Sequence, residues 1–322
     1  MKLRRLVVLG AAALTAAVVA SVAALVATAG SSPVVAAPRV PPARPAVAVP
    51  QGALVLARQD GTRVLALSVR RDGARVRARV TVLGPEGAGV GGLAVSVGGV
   101  RAVACGRGCY ASSLPSRTAG AHLSVRVQGP GGRTSSASFA LPRTWPVSAV
   151  AALRQTERTL KSASSVVYRD RLESVPGHAI TTTWRVVAPD RLAYTVNNGT
   201  CAVVIGQSRW DRESAAGPWL RSPQERLDLP ALPWGEHMRN VYLLDPPPEL
   251  RGTAIRFSMF DPATPAWYDV LVDARSHRIR SVQMVAPSHF MHDEYLGYGT
   301  ASPIQPPTAN GLDGTAAAPR CR

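Results

Sequence analysis

The chain has 322 residues, 37 Lys plus Arg against 20 Asp plus Glu, four Cys and a formal charge of +17, and 46% of it is hydrophobic. That apolar content excludes a wholly disordered or collagen-like chain, and the length suits about two domains at ~150 residues each. Only Lys2 and Lys161 are lysines, so the charge is almost all arginine; a GC-rich genome accounts for this bias as well as a charged partner does, and an export signal in the first thirty residues argues against nucleic acid.

Met1, Lys2, Arg4 and Arg5 make a basic start, and an apolar run over 6–29 follows it, interrupted only by Gly10, Thr15, Ser21 and Thr28. The run is long enough to cross the ~30 Å hydrocarbon core as a transmembrane helix and so to remain as an anchor. Ala27-Thr28-Ala29 before Gly30 is equally an A-x-A site at which a signal peptide is cut. Either way the positive-inside rule keeps Lys2, Arg4 and Arg5 in the cytoplasm and exports the rest. The protein is expected on the extracytoplasmic side of the cytoplasmic membrane, or secreted if the leader is cleaved. The linker over 31–51 carries six prolines between residues 33 and 50 and favours an extended spacer reaching up to roughly 55 Å at ~3.1 Å per residue.

Charge and aromatic residues divide the remainder. Residues 52–142 hold 12 basic against 3 acidic groups and no tryptophan, whereas 143–322 hold 20 against 17 and all six tryptophans. In the first region Ala74, Val76, Ala78, Val80 and Val82 alternate with Arg75, Arg77, Arg79 and Thr81, the period of a half-buried strand. Similar runs at 53–58, 62–70, 93–103, 122–127 and 133–141, separated by Gly and Pro clusters, predict an immunoglobulin-like β-sandwich over 52–142. The glycines of 84–92 lack a following helix start and a Lys-Ser/Thr pair, and read as a turn rather than a phosphate loop.

Over 146–163, Val150, Leu153 and Leu160 recur at helical spacing, and Pro146 suits a first helical turn. Strand-like segments follow at 179–187, 191–196, 201–205, 208–212, 253–260, 267–273, 278–286 and 289–298. One helix and many antiparallel strands make 143–306 an α+β domain in a mainly β chain. The proline-rich stretch 218–248, with Trp219 and Trp234, reads as long loops covering a cavity. The tail over 307–322 is expected to be disordered.

Ala188-Pro189-Asp190-Arg191-Leu192-Ala193-Tyr194, then Val203-Val204-Ile205-Gly206, Arg209-Trp210-Asp211-Arg212, Pro218-Trp219 and the closing Ser302-Pro303-Ile304 resemble the LolA and LppX class of envelope lipoprotein carriers over most of 146–306. The resemblance implies a half-open β-barrel, a curved sheet wrapped on helices and holding acyl chains or other apolar ligands. Cys105-Gly106-Arg107-Gly108-Cys109-Tyr110, Pro265-Ala266-Trp267-Tyr268-Asp269-Val270 and His289-Phe290-Met291-His292 are similar to the extracytoplasmic C-terminal region of CopD-family copper-resistance membrane proteins. That likeness implies copper as a cofactor and copper-transport membrane proteins as partners.

Trp184, Trp210, Trp219, Trp234 and Trp267, with Tyr194, Phe257 and Met259, are the candidates for an apolar pocket. Strand alternation puts Ile180, Thr182, Trp184 and Val186 on one face, and Ile255, Phe257 and Met259 on one face of another strand. His289, Met291 and His292 offer imidazole and thioether, which suit copper, although in a regular strand His292 points away from the other two. Cys105 and Cys109 form a disulfide by default outside the cytoplasm; their C-x3-C spacing also resembles the copper site of Sco-type metallochaperones, with His122 as a third ligand. Cys201 and Cys321 are a second candidate pair. Arg75, Arg77 and Arg79, with Arg70 and Arg71, form a stripe suited either to anionic lipid headgroups or to solvent. No G-x-S-x-G, H-E-x-x-H or paired C-x-x-C motif occurs, so no catalysis is expected. Three functions remain: binding an apolar or lipidic ligand, handling copper, or serving as an envelope scaffold without a small ligand.

Overall fold

The computed structural model describes residues 47, 49–115, 122–144, 146–215 and 217–307. The apolar leader, most of the proline-rich linker, Trp145, Cys321 and the tail beyond residue 307 lie outside the described residues. Among those described, no helix is long and apolar enough to cross a membrane.

The fold is mainly β, with one α-helix among the described residues. The first nine strands are β1 (Leu54–Asp60), β2 (Arg63–Asp72), β3 (Arg75–Leu83), β4 (Ala94–Val97), β5 (Val100–Arg101), β6 (Val103–Gly106), β7 (Cys109–Pro115), β8 (His122–Gln128) and β9 (Thr134–Ala140). They form a five-stranded sheet in the order β1-β2-β3-β7-β6 and a four-stranded sheet in the order β5-β4-β8-β9. The alternation read from the sequence of β3 is realised, with Val76, Ala78, Val80 and Val82 buried and Arg75 and Arg77 exposed. Those valines join Leu65, Leu67, Val125, Val127 and Phe139 in one core filled from both sheets. The run at 93–103 breaks into three short strands, and Gly98 and Gly99, with positive φ, make the turn between the first two.

Two glycines let the loop over 84–92 lie against the β6–β7 hairpin. A Cβ on Gly108, whose φ is +73°, would come within 2.5 Å of Gly89 Cα, and one on Gly89 within 2.2 Å of Arg107 O. The close approach frees Val82 N to donate to Gly108 O and Val90 N to donate to Val82 O. These glycines therefore serve backbone packing, in keeping with a turn.

The helix α1 (Val150–Lys161) starts four residues later than Pro146, after Ser148 and Ala149. It buries Leu153, Thr156 and Leu160, one stripe at helical spacing, and Thr156 Oγ1 donates to Ala152 O, which satisfies the hydroxyl inside the core. Eleven strands follow: β10 (Ser165–Glu173), β11 (Ala179–Val187), β12 (Arg191–Val196), β13 (Cys201–Ile205), β14 (Ser208–Arg212), β15 (Leu220–Pro223), β16 (Arg239–Leu244), β17 (Ala254–Asp261), β18 (Ala266–Asp273), β19 (Ile279–Ala286) and β20 (His289–Tyr298). They make one antiparallel sheet in the order β15-β14-β13-β12-β11-β10-β20-β19-β18-β17-β16. The sheet is open: its end strands β15 and β16 do not pair, so the barrel does not close. The central strand β10 and the two end strands were not among the segments read from the sequence.

The two β regions share a core of their own. On β1, Leu54 and Leu56 point into the first core while Val55 and Ala57 point the other way, onto Phe260, Trp267, Val285 and Phe290 of the large sheet. One strand thus feeds two cores through its period of two. Arg58 Nη1 donates to Gln283 Oε1, and Ser288 Oγ donates to Pro85 O, at the rim. The end of the linker is fastened too: Val47 and Val49 pack on this cluster, and Asn240 Nδ2 donates to the carbonyls of Pro50 and Ala53.

Candidate functional site

The large sheet has an outer face, part of which meets the first region through Phe260, Trp267, Val285 and Phe290, and an inner face that carries α1. The inner face falls into two parts. Over β16–β19 it is closed by Leu153 and Leu160 of α1 and by Leu227, Leu229, Leu232, Trp234 and Met238 of the proline-rich stretch, which leaves Phe257, Met259, Val270 and Val282 fully buried. Trp234 Nε1 donates to Glu157 Oε1 and pins the loop to the helix. Over β10–β12 and β20, Tyr168, Leu172, Ile180, Trp184, Met291 and Tyr295 remain partly exposed, so that part is less covered.

Strand pairing arranges the open part in three rows across the sheet. The first reads Tyr194, Trp184, Tyr168, Tyr295, each directly opposite the next. Its rings are in contact, with centroids 4.7 Å apart for Trp184–Tyr194, 5.9 Å for Tyr168–Trp184 and 5.2 Å for Tyr168–Tyr295. The second reads Val196, Thr182, Asp170, Asp293, Val282, and the third Ile180, Leu172, Met291, Met284. At the end of the aromatic row, Arg209 is held by Asp211 and donates through Nη2 to Tyr194 OH at 3.1 Å.

The middle of the second row is the chemical anomaly. Asp170 and Asp293 face one another across β10 and β20, 6% and 2% exposed, and Oδ1 of each makes no hydrogen bond. Such burial penalises the charged form. Desolvation raises Asp170 from the ordinary carboxyl range to about 7, offset in part by the indole N–H of Trp184, although neither Trp184 Nε1 nor Asp170 Oδ1 completes a hydrogen bond. Asp293 is raised as well, by burial first and by the facing Asp170 second. The phenols of Tyr168 and Tyr295 are raised by burial and then by Asp293. Two facing carboxylates are costly to ionise together, which pushes the titration of the pair up.

The structure separates the tryptophans that the sequence grouped. Trp184 and Tyr194 belong to the open aromatic row, whereas Trp234, Phe257 and Met259 lie in the closed part under α1. Trp210 and Trp219 pack with Cys201 away from both, each under an arginine: Arg221 over Trp210 and Arg212 over Trp219. Trp267 is at the junction with the first region, against Phe260. A hollow of about 10 Å³ there, lined by Val55, Ala57, Ser258, Trp267 and Gln283, has room for no more than a water. A single pocket built from all five tryptophans is therefore corrected to one open row with Trp184 at its centre. Asp170, Asp293, Tyr168 and Tyr295 were missed; the available signal was an acid at an inward position of a strand, Tyr168-x-Asp170 and Met291-x-Asp293-x-Tyr295.

Cys105 and Cys109 are joined in a disulfide, so neither offers a thiolate, and His122 lies on the other sheet of the sandwich, beside Ser138. His289 and Met291 share the inner face while exposed His292 points outward, opposite Gln283 and Arg171. Among the described residues no three His, Cys, Asp or Glu side chains are grouped to hold a metal. Cys201 is also disulfide-bonded; Cys321 is outside the described residues. Of the arginine stripe, Arg77 pairs with Asp72 and Arg75 donates to Ser113, on the exposed side of β3. The chain matches no protein-family model and no curated protein.

Proposed function

We propose that this chain is a noncatalytic binding protein of the cell envelope. It works at the outer face of the cytoplasmic membrane, or beyond it once the leader is cut, and its large sheet takes an apolar or lipidic ligand on the open part of the inner face. In this reading the first region is an immunoglobulin-like platform and the second acts as a half-open barrel of the LolA and LppX kind. The observation that carries it is the partly exposed strip of Tyr168, Trp184, Tyr295, Ile180, Met284 and Met291 beside a fully closed core. Covering partly exposed apolar side chains on a strand face is favourable, at ~25 cal/mol per Å² removed from water. The basic face of the first region, around Arg75 and Arg77, is the side that meets anionic headgroups.

The test is a titration of the purified full chain with N-phenyl-1-naphthylamine, a neutral apolar fluorophore. The reading predicts saturable emission enhancement at one probe per chain, displacement by dodecanol, and loss of both in Met291→Arg. Absence of saturable binding overturns it.

A further inference from the structure

Two carboxyls, opposite one another in mid-sheet, are an unusual thing to place in an otherwise apolar row. Their neighbours along that row are Val282 on one side and Thr182 on the other. In the rows to either side they have Tyr168 and Tyr295, and Leu172 and Met291. Among the described residues no arginine or lysine offsets either charge: the charged group acting on Asp293 is Asp170, and Asp170 is acted on by burial and Trp184. The basic residues of these strands, Arg169 and Arg171, alternate with the inward positions, and Arg169 pairs with Glu294 on the outer face. A well-packed apolar pair here would avoid the desolvation cost, so the fold alone has no use for the acids. What two facing carboxyl oxygens without hydrogen bonds accept is an N–H donor bearing positive charge.

We propose that Asp170 and Asp293 receive the protonated amino head of an amphiphilic ligand, whose alkyl chain lies along the strip of Leu172, Ile180, Met284 and Met291. This rests on the apolar-ligand reading and names its head group. The ammonium reaches the acids by displacing the partly exposed side chains of Tyr168, Trp184 and Met291, and a carboxyl proton leaves for solvent as the charge pair forms. The titratable groups around the pair are Tyr168 and Tyr295 on its own strands and Tyr268 on β18, all phenols that burial raises and that stay neutral. An anionic head would meet the acids as a like charge and is excluded.

The experiment compares three ligands of one chain length below their micellar concentrations: dodecylammonium, dodecanol and dodecanoate, each displacing the naphthylamine probe from the full chain at pH 7.5. The proposal expects dodecylammonium to bind at least tenfold more tightly than the other two, with release of about one proton per site in weak buffer. Asp293→Asn and, separately, Asp170→Asn should remove that preference by weakening dodecylammonium at least tenfold. Removing a buried charge favours folding, so these variants remain testable; circular dichroism of each verifies it. Equal affinity for the three ligands, or a preference that survives both substitutions, overturns the head-group assignment alone. Failure of all three to bind overturns the apolar-ligand reading as well.

Discussion

Replacing Asp170 by Asn should flatten the dependence of stability on pH. The carboxyl is raised from 3.8 to about 7 by burial, and a group raised on folding favours the native state below its unfolded pKa and loses that advantage as pH climbs through the folded value. The shift of about three units corresponds to about 4 kcal/mol at ~1.4 kcal/mol per unit, of which roughly 2–3 kcal/mol is lost between pH 5 and pH 8. Asp293 is raised in the same direction, so the total for the pair is larger. Urea unfolding of the full chain and of Asp170→Asn, followed by tryptophan emission at steps from pH 5 to pH 8, isolates the effect as the difference between two slopes. Wild type should weaken relative to the variant by ~2–3 kcal/mol across that range. Parallel profiles would mean that Asp170 is solvated, and would refute both its burial and the reasoning built on it.

Phe260→Ala should cost ~3–5 kcal/mol, as for other buried aromatics, because the ring is buried in the cluster with Trp267 and with Val55 and Ala57 of β1; the two β regions should then melt in separate calorimetric steps, where wild type melts in one. Gly108→Ala should destabilise by at least ~1 kcal/mol, since its φ of +73° and the Gly89 backbone 2.5 Å away leave no room for a methyl group; an unchanged urea midpoint would contradict the loop packing. Serine in place of both Cys105 and Cys109 should cost about 2 kcal/mol at most, as expected for so short a closed loop. Arg75→Glu together with Arg77→Glu should abolish binding to vesicles of phosphatidylserine, and wild-type binding should fall steeply with added salt.

The sandwich was legible because its strands alternate cleanly: over residues 75–82 of β3 each inward residue is Val or Ala and each outward one is Arg or Thr. The same rule failed at β10, where Val166, Tyr168 and Leu172 point inward against Arg169, Arg171 and Glu173, but Asp170 interrupts the apolar set. The residue that hid the central strand is thus the one that gives the site its chemistry. Asp293 was equally hidden, flanked by the polar His292 and Glu294 in a strand whose pattern does not alternate cleanly. That the two acids meet depends on the pairing of β10 with β20, a register that local pattern does not encode. The tryptophans were grouped as candidates for one pocket, but period-two alternation without the strand order cannot tell the inner face from the outer or from the junction. The proline-rich stretch, read as long loops over a cavity, instead contains β15 and β16 and packs on a filled core, where Trp234 Nε1 donates to Glu157.

The central claim is that the open inner face around Trp184 holds the ligand. Photolabelling of the full chain with a neutral diazirine-bearing fatty alcohol, followed by peptide mapping, tests it most directly. The account predicts adducts concentrated on the strands that carry Tyr168, Trp184, Met291 and Tyr295, suppressed by excess dodecanol; label confined to the Phe260–Trp267 junction, or scattered without suppression, would contradict it.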